Sequence, residues 1–157
     1  MTAARPGATM LPTMSEAIEA RVRELYGTLH AMPELGLQEV KTAAFLAEQL
    51  RRAGYAVQTG VGGTGVVGVL RGEQPGPVLA LRADMDALKH LVDGQECAIH
   101  SCGHDAHSAM VLCAAEQAAQ QKLATGTLKI LFQPAEEILL GALALVDAGA
   151  IADVDAL

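Results

Sequence analysis

The chain has 157 residues, 51% hydrophobic and 18% charged, enough for one domain with a real core and too apolar for intrinsic disorder. A formal charge of -7 and a pI near 5.1 exclude the positive footprint of a nucleic-acid binder. No run approaches the roughly 20 apolar residues of a membrane span, no signal segment opens the chain, and three cysteines make no disulfide framework, which points to the cytoplasm and reduced thiols.

Residues 1–12 read as a flexible leader of Ala, Gly, Pro and Thr, and 13–157 as an α/β domain. A capping box of Thr13 and Glu16 is expected to open a first helix, with Ile18, Val22, Leu25 and Leu29 on one face and Pro33 ending it. A second helix is expected from about Glu39 to Ala53, burying Val40, Ala43, Ala44, Ala47 and Leu50, with Gly54 beyond its end. Three short Val- and Leu-rich runs then follow, Tyr55 to Val61, Gly65 to Arg71 and Pro77 to Arg82, read as strands. Val78 to Leu81 is continuously apolar, as in a strand buried on both faces. A helix is expected from His104 to about Lys122 with Met110, Leu112, Ala114 and Ala118 inside, then a buried strand from Thr127 to Phe132. A last helix from about Glu137 to Asp147 precedes a strand beginning near Asp153. Helices alternating with buried strands imply a mixed or mostly parallel sheet flanked by helices.

Polar groups are expensive in so apolar a chain, and they gather just past the strands, where open α/β sheets carry their sites. Asp84 and Asp86 follow one strand and Glu136 and Glu137 another, with Ser101-Cys102-Gly103-His104-Asp105-Ala106-His107 between them. Cys102 and His104 offer a thiolate and an imidazole to one metal ion, and Gly103 frees the backbone between them. Glu136 and Glu137 are adjacent and point apart, so one can ligate while the other serves as a base, the logic of metal-assisted amide hydrolysis. His107 suits a supporting place beside the ligands, and His30 reads as a surface residue of the first helix. Cys97 and Cys113 read as structural, and Gly62-Gly63-Thr64-Gly65 as a turn rather than a phosphate loop.

The segments Leu29-His30-Ala31-Met32-Pro33-Glu34-Leu35-Gly36, Leu81-Arg82-Ala83-Asp84-Met85-Asp86-Ala87-Leu88, Cys102-Gly103-His104-Asp105-Ala106-His107 and Phe132-Gln133-Pro134-Ala135-Glu136-Glu137 resemble the M20 metallopeptidase family, in its amidohydrolase branch. The resemblance implies Cys102, His104 and Glu137 as metal ligands, Glu136 as general base, and Asp84, Asp86, Asp105 and His107 in support. It implies two divalent ions (Zn, Mn, Co or Ni), an N-acyl amino acid as substrate, and a possible homodimer in a full-length form. The family pattern has Pro where Lys89 stands and Gly where Ile138 stands. It also has further histidines after the paired glutamates and an inserted lid domain, so the chain reads as the amino-terminal part of such a catalytic domain. The alternative is a non-catalytic metal-binding fragment or interaction domain.

Overall fold

The computed structural model describes residues 15–157, so the leader and the Thr13 cap lie outside the described residues. Helix α1 (Glu16–His30) starts instead at Ser15, whose hydroxyl accepts the Ile18 N–H at 3.3 Å. Helix α2 (Val40–Arg52) is capped from a distance: the Glu34 carboxylate accepts the N–H groups of Lys41 and Thr42 at 3.1 and 2.9 Å. The expected buried face of α2 is corrected in part. Val40 and Ala44 are exposed, while Thr42 and Leu46 are buried with Ala43, Ala47 and Leu50.

Four strands form one mixed sheet in the order β1-β2-β6-β3. They are β1 (Ala56–Val61), β2 (Gly65–Arg71), β3 (Gln74–Asp84) and β6 (Thr125–Gln133). β1 and β6 both run antiparallel to β2, and β3 runs parallel to β6, with Leu81 opposite Ile130. Helix α3 (His104–Gln121) makes the crossover between β3 and β6.

Helices α1, α2 and α3 cover one face, where Leu25, Leu29, Leu46, Leu50, Leu112 and Phe132 form the main core. Arg21 ties α1 to α3 through both oxygens of Glu116, at 2.6 and 2.9 Å. The opposite face holds a thinner cluster of Val61, Val67, Ala80, Leu131, Leu145 and Ala150. It is closed by α4 (Gly141–Asp147) and by the Lys129 ammonium, which donates to the Ala150 carbonyl at 3.1 Å.

Three expectations change. β3 lies at the sheet edge, so Leu79 and Leu81 stay exposed instead of being buried on both faces. In α3, Met110 and Ala114 face outward, and Ser108, Ala109, Cys113 and Ala115 are buried with Leu112. The last helix starts at Gly141, so Glu136 and Glu137 stand in a turn before it. The segment after Asp153 does run beside β3: Leu79 bridges Ala156 in parallel, and the Ala80 N–H donates to the Ala156 carbonyl at 2.8 Å.

A hairpin of β4 (Leu88–Val92) and β5 (Gln95–Ile99) interrupts the path from β3 to α3. Its turn is Asp93-Gly94, both at positive φ (52° and 77°), the two-residue turn whose twist matches antiparallel strands. Among the described residues no helix is long and apolar enough to cross a membrane.

Candidate metal centre

Three chain segments meet at the carboxyl ends of β3 and β6. β3 delivers Asp84 as its last residue and Asp86 just beyond; the turn before α3 delivers Cys102 and His104; the turn after β6 delivers Glu136 and Glu137. Gly103 makes the middle segment possible, since it precedes the helix at φ 90°, where a side chain would be strained. Ala135 and Leu139 take the same left-handed region without being glycine (φ 51° and 60°), so the turn carrying the glutamates is held under backbone strain.

One ligand-type atom each from Cys102, His104 and Glu137 lies within 4.8 Å of the other two. The imidazole of His104 is oriented by Asp86. Its Nδ1 sits 3.1 Å from both the Asp86 carboxylate and the Asp86 carbonyl, two acceptors and no donor, so Nδ1 carries the proton. The lone pair on Nε2 then faces outward, into a ring of oxygens: Glu136 at 3.7 Å, and Asp84 and Glu137 at 3.8 Å. These separations are too long for hydrogen bonds and bring carboxylates together at one nitrogen. Soft sulfur, imidazole and carboxylate converging in this way match the donor set of a divalent-cation site.

Asp86 is fully buried, and its other oxygen accepts the Glu137 N–H at 3.0 Å, so one carboxylate fixes both His104 and the glutamate turn. Burial pushes the Asp86 carboxyl up, but the His104 ring and the N–H of Glu137 outweigh it and hold it below the usual carboxylate range. The hydrogen bond His104 donates to the Asp86 carboxylate raises the ring above the ordinary imidazole value against the pull of its burial. Burial pushes the Cys102 thiol up.

The supporting residues take defined places. Asp84 pairs with Arg82 and lies 3.4 Å from His107 Nδ1, while the Arg82 guanidinium also donates to Gln133 at 2.6 and 3.0 Å. Ser108 donates to the Asp84 carbonyl at 2.7 Å. Asp105 is buried in the first turn of α3, 2.6 Å from His30 Nδ1. His30 does lie at the surface, with half of its side chain exposed, and its ring also ties the end of α1 to the start of α3.

The model of peptidase family M20/M25/M40 matches residues 80–157. A thermostable carboxypeptidase of Saccharolobus solfataricus is 41% identical over 152 residues, covering 88% of this chain and 38% of its own length. The hippurate hydrolase of Campylobacter jejuni is 39% identical over 143 residues, covering 84% of this chain and 36% of its own length. The chain belongs to peptidase family M20. Among solved structures, the Bacillus subtilis YXEP protein, described as a dinuclear metal-binding peptidase of that family, superimposes with a TM-score of 0.78. It is 33% identical, and the match covers 90% of this chain and 42% of that one. The chain thus spans about two fifths of the length of the M20 relatives it matches.

Two buried polar residues near the site escaped sequence reasoning. Glu39 is fully buried, accepts the Thr64 hydroxyl at 2.5 Å and the Ala135 N–H at 2.8 Å, and so anchors the glutamate turn to the start of α2. An acidic residue opening a helix looks like a dipole partner, and nothing local marks Glu39 otherwise. His100 is buried with no protein partner on either ring nitrogen, and burial lowers its pKa.

Proposed function

We propose that this chain supplies the metal-binding and proton-transfer groups of a metal-dependent amidohydrolase that cleaves N-acyl amino acids to a carboxylic acid and a free amino acid. The observation that carries the reading is the approach of one ligand-type atom each from Cys102, His104 and Glu137 to within 4.8 Å of one another, with His104 Nδ1 already committed to Asp86. These three residues would hold the cation, with Asp86 orienting His104 as outer carboxylates do at histidine-ligated sites. The dinuclear description of the YXEP protein supports two ions, Zn, Mn, Co or Ni being candidates. A bound divalent ion supplies acidification of water and polarisation of the amide carbonyl.

Glu136 is the general base. It stands 3.7 Å from His104 Nε2 on the turn fixed by Asp86 and Glu39, and it is more exposed than Glu137. A carboxylate there takes the proton of the attacking water and returns it to the departing amine, so the same group serves both halves of the reaction. Asp84, Asp105 and His107 hold the surrounding segments in register. The hippurate hydrolase and N-acyl-L-amino acid amidohydrolase among the relatives support the acyl amino acid class.

The test is hydrolysis of N-acetyl- and N-benzoyl-amino acids by the purified chain supplied with Zn²⁺, Mn²⁺, Co²⁺ or Ni²⁺, with metal content measured alongside. Turnover that a chelator abolishes and added metal restores supports the proposal. Tight metal binding without turnover leaves a non-catalytic metal-binding module, and absence of metal binding rejects the site itself.

A further inference from the structure

The Gly62-Gly63-Thr64-Gly65 turn joins β1 to β2 outside the candidate metal centre, yet it packs against the segment that carries the glutamates. A Cβ added to Gly65 would stand 3.1 Å from Pro134 Cδ, and one added to Gly62 would stand 2.9 Å from the Ala144 carbonyl carbon of α4. This close packing seats Thr64 beside the start of α2, where its hydroxyl donates to one Glu39 oxygen at 2.5 Å. The other Glu39 oxygen accepts the Ala135 N–H at 2.8 Å. These two groups are the side-chain partners of Glu39 among the described residues, and the carboxylate is fully buried.

The glutamate turn is thus held at two points by two carboxylates. Asp86 accepts the Glu137 N–H at 3.0 Å and also faces His104, so it serves the metal ligands. Glu39 holds the residue on the other side of Glu136 and bonds none of Cys102, His104 and Glu137. Ala135 sits at φ 51°, a left-handed conformation that a residue with a Cβ keeps only where contacts hold it. Its buried N–H would also be left without a partner if Glu39 were lost.

We infer that Glu39, itself fixed by Thr64, is a positioning residue for Glu136: it sets where the general base stands and leaves the metal ligands to Asp86. The inference rests on the proposed hydrolase reading, in which Glu136 takes the proton of the attacking water. Without the Ala135 contact the strained φ relaxes and swings Glu136, while Glu137 stays pinned by Asp86. A catalytic group displaced by about 1 Å loses on the order of a hundredfold in rate.

The experiment uses the full chain labelled at its alanine methyl groups and loaded with Co²⁺, with Zn²⁺ as the diamagnetic reference. The shift difference between the two forms reports where each methyl lies relative to the ion. Glu39→Met keeps the length and offers Ala135 only a weak acceptor. It is expected to change that difference at Ala135 and leave it unchanged at Ala87 and Ala106, at unchanged Co²⁺ affinity. Glu39→Gln still accepts the Ala135 N–H through its amide oxygen and donates to Thr64 through its nitrogen, so it should restore the parent pattern. In hydrolysis of N-acetyl- and N-benzoyl-amino acids, Glu39→Met should lower kcat at least about tenfold at unchanged KM, and Glu39→Gln should recover most of it. Where Glu39→Met does not fold, Glu39→Asp withdraws the oxygens by one methylene and should displace Ala135 in its place. Ala135 unmoved, or Ala87 and Ala106 moving with it as Co²⁺ affinity falls, overturns the inference. The Co²⁺–thiolate band of Cys102 separates the two failures. With that band and turnover present in the parent, an unmoved Ala135 sinks the positioning role alone; with either missing, the hydrolase reading fails and Glu136 has no reaction to be positioned for.

Discussion

The sheet of this protein has an apolar middle and a polar end, and a few residues separate them. β6 carries Ile130, Leu131 and Phe132 in full burial, then Gln133, and three residues later Glu136. β3 carries Ala83 and ends at Asp84, with Asp86 just beyond, and both carboxylates are buried. The middle gains stability from close-packed hydrocarbon, which needs no partner atoms of particular kind. The polar end places Asp84, Asp86 and Asp105 out of water, which is tolerable only where each finds a hydrogen bond or a charge. The middle sets how stable the chain is, while the end carries the groups that can do chemistry.

Variants along this divide should therefore separate stability from chemistry. Leu46→Ala, deep in the helical core, should cost about 2–5 kcal/mol in urea unfolding. Co²⁺ bound per folded molecule should not change, and a loss of metal affinity here would show that core and site are not separable. Asp86→Ala removes a buried carboxylate from both His104 and the Glu137 N–H. It should cost about 1–3 kcal/mol and lower metal affinity about 10–100-fold, read by titration with Zn²⁺ against a competing chelator. Unchanged affinity would reject Asp86 as the orienting group.

Tyr55→Phe deletes a hydroxyl that donates to the Ala115 carbonyl at 3.0 Å, and should cost about 1 kcal/mol at neutral pH. Burial pushes Tyr55 from the ordinary value of 10.0 up to about 12. Its folded-state pKa is raised, so its contribution is complete below pH 10 and lost as pH rises toward 12. The stability of the parent should fall through that window more steeply than that of Tyr55→Phe; parallel curves would mean that the hydroxyl titrates as in the unfolded chain. Smallest in stability is Glu136→Gln, within about 0.5 kcal/mol of the parent. In an active form its turnover should drop at least about a hundredfold with metal content unchanged, and near-normal rates would remove Glu136 as the base.

Much of this was legible in the residues. The apolar runs marked β1, β2, β3 and β6, and the polar motifs stood out because they followed those runs directly. The hairpin of β4 and β5 was missed although Asp93-Gly94 announces its turn. Its strands carry Lys89, His90, Gln95 and Glu96 and are largely exposed, so no hydrophobic alternation drew attention to them. The burial of Val78 to Leu81 was misjudged because composition reports that a segment is apolar and not whether another strand lies beside it.

Local chemistry was enough to identify the α/β character, and it marked the strand ends as the place of the candidate site and the residue types that could hold a metal ion. Those properties depend on neighbours within a few positions, through side-chain periodicity and turn preference. Folding alone joined His30 to Asp105 across 75 positions and Glu39 to Ala135 across 96. It also turned Nδ1 of His104 toward Asp86. Each of these is a pairing between distant segments, and which distant groups meet depends on strand order and helix packing rather than on any residue's own preference.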